Sequence, residues 1–94
     1  MYTSRFIRAT LTGLAGTVAT YQAGRITTRE AERRYFATET IANRISYHLN
    51  DHGNDPELEA LLSRMNFLQC ALGQAIMASR PAGQVTRYVQ GTAL

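Results

Sequence analysis

Apolar residues recur every three to four positions along three stretches of the chain, and the last stretch carries the strongest signal. Between Asp55 and Arg80, Leu58, Leu61, Met65, Leu68, Leu72, Ala75, Ile76 and Ser79 fall on one seam of helical period. Leu62 widens that seam on one flank, and Phe67 and Ala71 widen it on the other, so more than half of the circumference avoids water. Both ends are marked. Asp55 suits an N-cap, Pro56 the first helical position, Glu57 and Glu59 the positive end of the dipole, and Pro81 cannot continue the helix. Such a helix needs several neighbours to cover it.

A second helix is expected over 27–50, because Thr27 and Glu30 stand in capping-box register and Gly53 lies just past the last turn. Ala31, Thr38, Ile41, Ala42, Ile45 and Leu49 share its inward face, with Tyr35 at the margin. The linker from Asn50 to Asn54 is short and rich in turn residues, which folds helices two and three back as an antiparallel hairpin. Over 4–22, Ile7, Leu11, Leu14, Val18 and Tyr21 keep helical spacing, while Gly13, Gly16 and several threonines lower helix propensity. The spacing favours a helix stopped by Gly24; the competing reading is a hairpin with strands near Phe6 to Thr12 and Thr17 to Tyr21. As a helix, its glycines would let another backbone approach closely. Beyond Pro81, Val85, Arg87 and Val89 alternate with Thr86, Tyr88 and Gln90, the pattern of a short strand or extended tail.

The expected architecture is therefore all-α: a single domain over 1–94, with helices at 4–22, 27–50 and 55–80 and an extended tail at 81–94. A chain of 94 residues is too short for two separate cores and gains from association with a partner. All ten basic residues are arginine, and the acids lie only between Glu30 and Glu59, so basic ends flank an acidic middle. That arrangement suits an anionic partner, or termini laid against the middle of the same or a second copy. The uncharged run from Ala9 to Gly24 is too short and polar to span a membrane. One cysteine, Cys70, and no leader-like opening point to a cytoplasmic protein.

Candidate chemistry is sparse. Opposite the inward face of helix two, Arg29, Arg33, Phe36, Thr40, Asn43, Arg44 and Tyr47 form an arginine and aromatic stripe in which Phe36 has no evident core role. Such a stripe suits a protein partner or, through stacking and phosphate contacts aided by Arg5, Arg8, Arg80 and Arg87, a nucleic acid. Its bland reading is an internal contact in which arginine stems lie along the rings. His48 and His52 are four apart but supply only two firm ligands, so no metal or cofactor is expected. Cys70 has no neighbouring histidine in sequence to act as base. With no phosphate loop, paired carboxylates or serine elbow, an enzyme is the weakest class.

The leading expectation is a non-catalytic interaction protein, self-associating or binding another protein as an adaptor, chaperone-like escort, inhibitor or antirepressor, of a size common among phage and plasmid accessory proteins. A homodimer interface is expected on Leu58, Leu61, Leu62, Met65, Phe67, Leu68, Leu72 and Ile76. The alternative is a nucleic-acid-binding regulator that uses the helix-two stripe.

Overall fold

The computed structural model describes residues 2–79. They form three helices, α1 (Ser4–Gln22), α2 (Thr28–His52) and α3 (Pro56–Ala78), in an up-down-up bundle. Each N-terminus is closed by a side-chain oxygen that accepts from an otherwise orphaned backbone N–H. Thr3 accepts from Phe6, Thr27 from Glu30, and Asp55 from Leu58. The C-terminus of α1 closes through Gly24 at φ +75, where the amides of Gly24 and Arg25 donate to the carbonyls of Tyr21 and Thr20. Gly53, at φ +78, ends α2 and lets the chain turn into α3. Helix α2 runs two residues beyond its expected end at Asn50, because that glycine, rather than the turn residues before it, sets the stop. Helix α3 closes at Ala78, with Ser79 as cap, so Ser79 is not part of the buried seam. Its hydroxyl donates to the Ile76 carbonyl and meets that of Tyr21. Arg80, Pro81 and the expected tail at 81–94 lie outside the described residues.

The α1 segment is a helix, not a hairpin. Its low propensity is outweighed by burial of Ile7 and Leu14, with Leu11, Val18 and Tyr21 packed against the same core. The threonines Thr10, Thr12, Thr17 and Thr20 each donate their hydroxyl to the carbonyl four residues back, so their polar atoms are paired within the helix. The expected close approach of a backbone at Gly13 and Gly16 does not occur among the described residues: a Cβ on either would meet nothing within 4 Å. Gly13→Ala should therefore stabilise the fold by about 0.5–1 kcal/mol, read as a raised midpoint in chemical unfolding, since it adds helix propensity without a clash.

Helix α3 lies at the centre of the arrangement. It packs against both α1 and α2, which touch each other less. It buries Leu58, Leu61, Met65, Leu68, Leu72 and Ile76, against Ile7 and Leu14 of α1 and Ala31, Tyr35, Ala42 and Ile45 of α2. Tyr35, expected at the margin of α2, is part of this core, and burial pushes its phenol up, with Glu39 and Cys70 contributing less. Two buried polar residues sit between α2 and α3. Gln69 Nε2 donates to Thr38 Oγ1 at 3.2 Å and approaches the Tyr35 carbonyl at 3.5 Å. The Thr38 hydroxyl lies within donating distance of the Tyr35 and Arg34 carbonyls. A third buried polar residue, Thr17 on α1, accepts from Arg34 Nη1 at 3.1 Å and so ties α1 to α2.

Candidate interaction surfaces

The helix-two stripe is a real face. Arg29, Arg33, Thr40, Asn43, Arg44 and Tyr47 are all exposed on one side of α2, Tyr47 at 71%. Phe36 departs from the expectation. It is half-buried, packed against the core and edge-on to Tyr35 with ring centroids 5.3 Å apart, so it has the core role the sequence reading denied it. The charge on the stripe is also less than the arginines suggest. Glu30 binds Arg33 at 2.7 Å and Arg34 at 3.0 Å, and hydrogen bonds from Arg33 and then Arg34 hold its carboxyl below the usual carboxylate range. Arg29 and Arg44, about four helical turns apart, are left as the stripe's more open cations.

The residues expected at an oligomer interface divide sharply. Leu58, Leu61, Met65, Leu68, Leu72 and Ile76 are buried within the single chain. In the single chain they face α1 and α2, because the same seam that would mark an interface is what those two helices require for a core. Leu62 is half-buried against that core, and Phe67 alone of the set stands out from it, 65% exposed.

Beside Phe67 the bundle has an open groove of about 460 Å³ between α1 and α3, lined by Arg8, Leu11, Thr12, Ala15, Leu61, Arg64 and Leu68. Its floor is aliphatic. Arg8 and Arg64 stand at it, Arg8 reaching Glu57 at 3.7 Å and Arg64 lying 5.9 Å from the centre of the Phe67 ring. Arg64 is the one charged residue between Ala60 and Ser79, and it shares a groove with Arg8 only because α1 and α3 run side by side, which periodicity within one helix does not reveal. A second groove, about 540 Å³, lies at the opposite end, where Tyr21 meets Thr28 at 2.9 Å and also Ser79. The hydroxyls lining it bind one another.

The remaining candidates carry little chemistry. The His48 and His52 rings are stacked, centroids 4.2 Å apart, and His52 Nδ1 lies 3.2 Å from the His48 carbonyl. Among the described residues no group of three or more histidine, cysteine, aspartate or glutamate side chains could hold a metal ion. Cys70 is half-buried, with Gln74 Nε2 at 3.8 Å from its sulfur. No helix among the described residues is long and apolar enough to cross a membrane. No family model, curated protein or solved structure matches the chain.

Proposed function

We propose that this chain is a non-catalytic interaction protein that binds another protein through the outer face of α2, in the role of an adaptor, escort or inhibitor, and also associates with itself. The observation that carries the reading is Tyr47, a large ring held in water beside Arg44, Asn43 and Thr40 on a rigid helix. Tyrosine and arginine dominate the energetics of protein interfaces, and a helix presents them at little cost in chain ordering. A nucleic-acid partner is the weaker reading, since Glu30 offsets charge on Arg33 and Arg34 along the same helix.

Affinity capture from the native host, with wild-type protein and an Arg44→Ala, Tyr47→Ala chain as bait, tests this. Wild type should retain a discrete protein at physiological salt, and the double variant should lose it by a factor of about 30 or more while melting at the wild-type temperature. Equal retention by both baits, or capture that disappears on nuclease treatment and falls steeply with salt, contradicts the reading.

A further inference from the structure

We propose that His48 and His52, in the last turns of α2, form a two-imidazole site for a divalent transition-metal ion, copper(II) most tightly and nickel(II) and zinc(II) less so, with water completing the coordination. The proposal goes beyond the protein-binding reading and does not depend on it.

Residues four apart on a helix lie one above the other, the spacing that brings two imidazoles to one ion in helical zinc sites. Here the whole interval from His48 to His52 is helix, and Gly53 at φ +78 ends it immediately afterwards. The rings are neighbours in consequence. They stack at 18° with centroids 4.2 Å apart, so they are held side by side before any ion arrives. Two nitrogens bound to one zinc-sized ion at about 2.0–2.1 Å each stand no more than about 4 Å from one another. Side-chain rotation is enough to converge them, and the backbone need not move.

A hydrogen bond of His52 is the second observation. Its Nδ1 lies 3.2 Å from the His48 carbonyl oxygen, which can only accept, so Nδ1 carries the proton and the neutral ring keeps its lone pair on Nε2. A ring N–H given to a backbone carbonyl is the contact that fixes tautomer and orientation in metal-ligating histidines. Nε2 is left to bind. Among the described residues no hydrogen bond takes up that nitrogen or either ring nitrogen of His48. His52 is exposed and His48 half-buried, which gives an ion access from solvent.

Charge and ligand type agree. The pair lies at the negative end of the α2 dipole, and the exposed Asp51 stands between the two in the chain, so a cation is favoured there. Imidazole nitrogen suits copper, nickel and zinc, whereas magnesium and calcium take oxygen ligands. Among the described residues no third histidine, cysteine or carboxylate joins the pair, which makes this an open, exchangeable site rather than a four-ligand structural centre.

Isothermal titration of nickel(II) chloride into the purified full chain, carrying no polyhistidine tag, tests the proposal. Nickel is the probe because, unlike copper(II), it does not oxidise a thiol such as that of Cys70. One ion should bind per chain, and magnesium chloride should give no binding heat. His52→Ala should weaken nickel binding by a factor of about 10 or more with unchanged helical circular dichroism, and His48→Gln should do the same. The exposed position of His52 keeps the test decisive even if the variant at the half-buried His48 folds poorly. Cys70→Ala, folded as wild type, should bind nickel as wild type does. Absence of binding, a His52→Ala chain that binds as tightly as wild type, or loss of binding in the folded Cys70→Ala chain overturns the proposal. Each of those results leaves capture through α2 standing.

Discussion

Leu72→Ala is expected to lower the free energy of unfolding by about 2–5 kcal/mol, a large part of the roughly 5–14 kcal/mol available to a chain of this length. Leu72 is 0% exposed and lies on the helix that packs most closely against both others, so the cavity would open where α1 and α2 are both anchored. Neighbours on two sides are rigid helices rather than loops, and the space can collapse only in part. For a domain of this size the loss corresponds to a drop of about 10–30 °C in melting temperature, measured by circular dichroism at a concentration that keeps the protein monomeric. Phe67→Ala under the same conditions should change stability by no more than about 0.5 kcal/mol, because its ring is 65% exposed. Comparable losses from the two variants would mean that α3 does not hold the core in the way described.

Gln69→Glu is expected to be as damaging, with a signature in pH. The native amide donates to Thr38 Oγ1 and faces the Tyr35 carbonyl. A carboxylate there has no proton to donate and meets the carbonyl as a second acceptor, leaving a buried charge uncompensated at a cost of about 3–5 kcal/mol near neutral pH. Burial disfavours the charged form, so the folded-state pKa of the new glutamate lies above its unfolded value of about 4.3. The folded variant therefore binds its proton more readily than the unfolded chain does, and its deficit grows as pH rises from the unfolded to the folded pKa. Melting at about pH 7.5 and again at about pH 4.5 should show the gap to wild type narrowing in acid, as the protonated side chain regains a donor. Gln69→Leu should be close to neutral at both, since the Thr38 hydroxyl keeps its bonds to backbone carbonyls. A gap that is the same at both pH values would show that Gln69 is not enclosed as described.

Much of the fold was legible because the local signals agree with one another. The caps at Thr27 and Asp55, the glycines at Gly24 and Gly53 and the seam of α3 each act within a few residues of chain, and apart from the half-buried Ala75 and the exposed cap Ser79 all are found where the pattern put them. Within α1 the local signals conflict. Its periodicity prevailed over propensity because Ile7 and Leu14 bury fully against the other helices, which outweighs a few tenths of a kcal/mol per threonine. What periodicity could not settle is which neighbour covers each side of a helix. Tyr35 and Gln69 look like flank positions on a helical projection, yet both are buried where α2 meets α3. The same limit explains the interface residues. Leu58 through Ile76 form an apolar seam in either reading, and only the tertiary arrangement shows that α1 and α2 occupy it, leaving Phe67 outside. The groove beside Phe67 joins residues from Arg8 to Leu68, so no local pattern announces it.

The central claim is that this small bundle buries the seam of α3 internally, between α1 and α2. Native-state amide hydrogen exchange of the purified chain tests this residue by residue. The account predicts that the amides of Met65, Leu68 and Leu72 are among the slowest to exchange, opening only with global unfolding, while amides near the helix ends exchange through local fraying. Exchange of the α3 centre that is faster than that of α1 and α2 would contradict it.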